Sequence, residues 1–137
     1  ALSALVIGVA TIVHGIAGPL GGLHPAAHGT ICAALLPHAM RANVARLREE
    51  GPRGERLRRY RDVAALLLGK QRVQPEDGVE WMAELCRDLP VPRLSDLGLT
   101  EIEVPSLAER ALAASSTKGN PVDLGRDGVI RLLHAAL

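Results

Sequence analysis

A chain of 137 residues, 47% of them apolar, is the size of one domain with a core assured, and its formal charge of +1 offers no global field to attract nucleic acid. The apolarity comes mainly from Ala, Leu and Val, with no Phe, one Trp (Trp81) and one Tyr (Tyr60). That composition suits closely packed helices and argues against a sheet, where β-branched and aromatic residues are favoured. The opening segment ALSALVIGVATI is apolar but too short to span a bilayer, and it lacks the basic leading region of a secretory signal. It reads as the start of a buried helix over residues 2 to about 17, ended by Gly18-Pro19. A chain that opens inside a core helix, without an initiator Met, is expected to be a piece of something longer.

Gly21-Gly22 and Pro25 predict a loop leading to a second helix from near His28 to about Glu50. There Ile31, Leu35, Met40, Val44 and Leu47 define one face, and Pro37 should kink it. GPRG at 51–54 is a break. A third helix, roughly 54–69, places Leu57, Tyr60, Val63, Ala64 and Leu67 on one face and Arg56, Arg58, Arg59 and Arg61 around the other. The one aromatic residue among them, Tyr60, belongs to the apolar face and leaves the arginines without a stacking platform for bases, so they read as a solvated helix face. QPED opens a fourth helix from about Pro75 to Leu89, with acids in the first turn to complement the helix dipole. Pro90 and Pro92 end it. The SDLG turn leads to a fifth helix, about 104–115, STKGNP at 115–121 forms a turn, and the last helix covers 125–136. No alternating strand pattern and no internal repeat is present, which predicts an all-α bundle of five to six helices forming a single domain over residues 1–137.

Chemistry-bearing residues concentrate in VHGIAGPLGGLHPAAHG, from Val13 to Gly29. It combines His14, His24 and His28 with glycines that let the chain turn tightly and approach a ligand closely. Imidazole is the commonest protein ligand for zinc or ferrous iron. His14 and His28, fourteen residues apart, cannot be an i,i+4 pair, but a reversal between the two helices would bring them together as half a metal site. His24 is a candidate third ligand. The bland alternative is that all three cap helix ends or face solvent. Cys32 and Cys86 fall inside apolar helical patterns and read as buried free thiols of a reducing, cytoplasmic compartment. His134 is expected at the surface near the negative end of the last helix.

The string HGIAGPLGG, His28-Gly29, ALLPHAM and Asn43 resembles the signature of the iron-containing (group III) alcohol dehydrogenases. The likeness continues through YRDVAALL, PRLSDLGLTE at 92–101 and ASSTKGNPVDL at 114–124. It covers nearly the whole chain, as that family's helical, dehydroquinate synthase-like C-terminal domain. The resemblance implies an oxidoreductase that moves a hydride between NAD or NADP and a small-molecule alcohol or aldehyde, with Fe2+ (or Zn2+) polarising the substrate oxygen. His14 and His28 match two of the family's metal ligands. Two further ligands and the nucleotide-binding N-terminal domain would lie outside this chain, so no cofactor-binding residue is expected here, and the chain alone should be inactive. No strand followed by GxGxxG and no P-loop offers a substitute.

Where many members carry a second histidine, one turn after the first ligand, this chain has Gly18, which enlarges the pocket and leaves His24 as the one catalytic substitute within the motif. The intact His14 and His28 favour the metal-using branch over the maleylacetate reductase-like members. His38 matches a position that the family usually fills with histidine and is expected to be structural or to support the site from outside the ligand set, not to be a ligand. Asn120 and Pro121 match its late turn. Some members dimerise, making a homodimer compatible with the resemblance; neither a nucleic-acid nor a membrane partner is implied. The competing expectations are a non-catalytic helical interaction module that retains the fold and a small self-contained metalloenzyme using His14, His24 and His28.

Overall fold

The computed structural model describes the backbone from Leu2 and the side chains from Thr11 to Leu137. Six helices, α1 (Leu2–Leu23), α2 (His28–Glu50), α3 (Glu55–Leu68), α4 (Pro75–Asp88), α5 (Val104–Ala113) and α6 (Gly125–Ala136), follow one another with two short 3-10 segments, Glu101–Glu103 and Ser115–Gly119. Among the described residues there is no strand, and no helix is long and apolar enough to cross a membrane.

The first helix does not end at Gly18-Pro19 as the punctuation predicts. It runs on to Leu23, taking in Pro19, Gly21 and Gly22. An internal proline costs about 3 kcal/mol, because the Gly15 carbonyl loses its partner and the ring crowds that carbonyl. Leu20 supplies the opposing term. It completes the stripe Ile12, Ile16, Leu20, each at most 1% exposed, and burying one such side chain stabilises by about 1.5–3 kcal/mol. The His24 N–H then closes the helix on the Leu20 carbonyl at 2.9 Å.

In α2 the second internal proline is also accommodated. Pro37 is buried and has no N–H for the Ala33 carbonyl, which instead accepts a hydrogen bond from the Cys86 thiol of α4 at 3.8 Å. Gly51 ends α2, its N–H bonded to the Leu47 carbonyl at 3.1 Å. The predicted QPED start of α4 is realised by the Asp77 carboxylate, which accepts the Gln74 N–H at 2.7 Å. Arg56, Arg58, Arg59 and Arg61 are all exposed along α3.

Two apolar clusters hold these elements together. The larger gathers Ile12, Ile16 and Leu20 of α1, Ile31 and Leu35 of α2, Leu107 of α5 and Leu133 of α6. The smaller joins Met40, Val44 and Leu47 of α2 to Leu57 and Tyr60 of α3, Val79 of α4 and Val122. Leu36 and Leu124 pack against both. The α3–α4 pair is close enough that a Cβ at Gly78 would lie 2.9 Å from the Ala64 Cβ.

α1 also lies against the 3-10 segment Ser115–Gly119. A methyl group on Gly15 would overlap the Thr117 hydroxyl, and one on Gly119 would approach the Thr11 Cγ2 to 3.0 Å. Glycine is needed at position 15 because the Thr117 side chain fills the space that a Cβ would take.

Candidate metal centre

His14 lies within α1, with nine residues of the helix after it, and His28 is the first residue of α2. The ten residues from His14 to His24 advance along the helix axis by about 15 Å. The four-residue step from His24 to His28 can return by up to ~13 Å. The start of α2 is thereby carried back down the flank of α1. The His14 Nδ1 and His28 Nε2 atoms come to 3.1 Å, with the rings near-parallel at 6° and their centroids 5.3 Å apart. Whichever ring carries the proton donates it to the other.

Both imidazoles are exposed, and a third donor joins them. Cys32 follows His28 by one helical turn on the same face of α2. The ligand atoms of His14, His28 and Cys32 all lie within 4.8 Å of one another. The Cys32 side chain is half-buried rather than wholly buried, and burial pushes its thiol up from the ordinary value. The sequence pattern reads this residue as a buried free thiol and not as a neighbour of the histidines, although its i,i+4 spacing from His28 is a usable signal. One turn on from His14, Gly18 is exposed, and a Cβ there would meet nothing within 4 Å. Ring-nitrogen separations of about 3.0–3.4 Å are what two imidazoles on one divalent cation show. The donor chemistry and the 3.1 Å spacing therefore fit a cation such as Fe2+ or Zn2+.

The structure separates His24 from this group. Its Nε2 is 3.0 Å from Glu103 Oε1, with side-chain exposures of 19% and 30%. Gly98, at φ +99°, passes so close that a Cβ there would sit 2.7 Å from His24 Nδ1. Glu103 is itself held below the ordinary carboxylate range, first by hydrogen bonds from the Thr100 hydroxyl and N–H and then by His24. His24 thus fastens the end of α1 to the entry of α5.

His38 lines a groove of about 270 Å³ between α2 and α6, beside Arg41 and Arg131. Its Nδ1 is buried with no hydrogen-bond partner among the described residues, and burial followed by Arg41 and Arg93 holds its pKa below the usual value. His134 is exposed in the last turn of α6.

Asn120 does more than shape its turn. Its amide donates to Asn43 Oδ1 at 2.8 Å and to the Val122 carbonyl at 2.7 Å. Asn43 Nδ2 donates in return to Asn120 Oδ1 and to the Tyr60 hydroxyl, each at 3.1 Å. Asn43 is fully buried, so this network is structural and lies in the interior of the fold.

The model of the Fe-containing alcohol dehydrogenase family, C-terminal, matches residues 1–137. Lactaldehyde reductase of Escherichia coli (strain K12) is 34% identical over 131 residues, covering 91% of this chain and 32% of that protein. Alcohol dehydrogenase 4 of Saccharomyces cerevisiae (strain ATCC 204508 / S288c) is 30% identical over 125 residues, covering 90% and 31%. A solved structure of 1,3-propanediol oxidoreductase superposes with a TM-score of 0.77 at 28% identity, covering 92% of this chain and 32% of that one. The chain spans about a third of the length of the relatives it matches.

Proposed function

The chain belongs to the iron-containing alcohol dehydrogenase family, as its C-terminal domain, and on that premise we propose that it is the metal- and substrate-binding half of an NAD(P)-dependent alcohol dehydrogenase or aldehyde reductase. The observation that carries the reading is the 3.1 Å approach of His14 Nδ1 and His28 Nε2 at an exposed position between α1 and α2. These two side chains would hold the divalent cation, Fe2+ or Zn2+. Bound there, it supplies Lewis-acid polarisation of the substrate's oxygen during hydride transfer to or from the nicotinamide.

The chain's own contribution is positional. His14 is fixed by a helix whose next residue, Gly15, is wedged against the Thr117 hydroxyl. His28 is fixed at the start of α2, three residues before the fully buried Ile31. The open space at Gly18 leaves room beside the ligands for an alcohol or aldehyde. His24, engaged with Glu103, holds the end of α1 against the entry of α5. The nicotinamide dinucleotide is bound by a further domain that the relatives' greater length accommodates, and the free thiols suit a cytoplasmic enzyme.

The test is NAD(P)-linked oxidation of short alcohols and reduction of the corresponding aldehydes by the complete protein loaded with Fe2+ or Zn2+. Replacing His14 or His28 by alanine is expected to lower kcat at least about a hundredfold, the size of several kcal/mol of lost polarisation. Undiminished turnover in both variants would overturn the reading and favour a helical module that keeps the fold without the chemistry.

A further inference from the structure

We infer that the groove between α2 and α6 is a binding site for a small phosphate monoester, whose phosphate is held by Arg131 and Arg41 beside His38. The site stands apart from the candidate metal centre and does not depend on it, since His38 follows His28 by ten residues, about 15 Å along α2. Three observations support the assignment. The first is an excess of positive charge. Glu80 answers Arg41 at 2.7 Å and Glu49 answers Arg46 at 2.9 Å, but Arg131 and Arg93 have no carboxylate within ion-pair distance among the described residues. The second is where an unanswered guanidinium lies. A Cβ at Gly128 would sit 3.9 Å from Arg131 Nη2, so the Arg131 side chain folds back along α6 over the buried Gly128, which lines the groove. The third is His38, on the α2 side. Its Nδ1 is buried without a hydrogen-bond partner among the described residues, and the charges of Arg41 and Arg93 reach its ring.

The planar guanidinium fork matches the oxygens of a phosphate or a carboxylate two at a time. Two unanswered positive charges suit a dianion better than a monoanion, which selects phosphate. The His38 imidazole carries one N–H when neutral and adds a donor without adding charge. The groove, about 270 Å³, is larger than a phosphate group alone, and Ala42, Ala45 and Leu132 give it apolar walls for a small organic body.

The experiment titrates glycerol 1-phosphate, inorganic phosphate and acetate calorimetrically into the complete protein and its Arg131→Gln and Arg131→Lys variants, in a phosphate-free buffer. Arg131 is exposed, so both variants are expected to fold, and matching far-UV circular dichroism checks this. Wild type should bind the monoester more tightly than inorganic phosphate and at least about tenfold more tightly than acetate. Arg131→Gln should weaken monoester binding at least about tenfold, and Arg131→Lys, which keeps the charge but loses the fork, should fall between the two. Equal affinity for the monoester and inorganic phosphate would overturn the assignment of an organic body to the groove. Monoester binding that Arg131→Gln leaves unchanged belongs to another part of the protein and would overturn the site itself, as would the absence of binding by wild type.

Discussion

Tyr60 is 3% exposed, and its hydroxyl accepts a hydrogen bond from an asparagine that is itself fully buried. Burial pushes the phenol up to about 12 from 10, opposed in part by the Asn43 hydrogen bond. The native state therefore holds that proton more tightly than the unfolded chain does. The resulting stabilisation is present below pH 10 and is lost as the pH rises from 10 to about 12. Two units correspond to about 2–3 kcal/mol. Tyr60 is the only tyrosine, so tyrosinate absorbance reports it alone. Urea midpoints measured across that range should fall as the absorbance rises, and Tyr60→Phe should flatten the dependence. Gly15 and Gly18 give a second contrast. Gly15→Ala forces a methyl onto the Thr117 hydroxyl, which donates to the Ala111 carbonyl at 2.5 Å, and is expected to cost about 1–3 kcal/mol in denaturant unfolding. Gly18→His enters open space and should leave stability unchanged or raise it by up to ~1 kcal/mol, because glycine is a poor helix residue. Little of this was legible in the sequence. Asn43 and Asn120 lie 77 residues apart, and neither periodicity nor turn chemistry relates positions at that distance.

Helices were legible where local chemistry fixes their ends and obscure where tertiary burial does. α2 and α6 occupy the predicted spans, and α4 starts at Pro75 and ends one residue before the predicted Leu89, because Gly51, the acids after Gln74 and the late apolar pattern act within a turn or two. α1 was misread because Gly-Pro is a stop signal only until a residue beyond it, here Leu20, has a core to enter. Pro37 shows the complementary case: the carbonyl it orphans is served by a thiol from α4. Cys86→Val should thus destabilise more than Cys86→Ser, by about 1 kcal/mol in urea unfolding, since serine keeps a donor for Ala33. The joint between α1 and α5 is sensitive to acid. Glu103 is held below its ordinary value chiefly by Thr100, so its contribution is present above the usual carboxylate range and disappears as the pH falls through it. Thermal midpoints taken downward through that range should drop less steeply for Glu103→Gln than for wild type.

Among the described residues the two apolar clusters are unequal: nineteen buried residues form the one beneath the candidate metal centre and seven the one beneath α3 and α4. The smaller cluster should open first. Native-state hydrogen exchange is expected to show α3 and α4 amides exchanging through an opening of lower free energy than those of α1, α5 and α6. Uniform protection across all six helices would contradict that ranking. Folding order also follows from the contact between α1 and the 3-10 segment. Thr117 fits at Gly15, and Thr11 fits at Gly119, so the two segments clasp at both ends. That clasp sets the roll of α1 about its axis, and with it the direction in which His14 points. Its two halves are roughly a hundred residues apart in the chain, a separation that makes closure slow relative to forming the helices themselves. During synthesis, His14 and His28 leave the ribosome well before Thr117, and their alignment must wait until Thr117 has emerged. The metal centre is thereby timed to mature only after Thr117 has emerged, with both imidazoles unaligned until then.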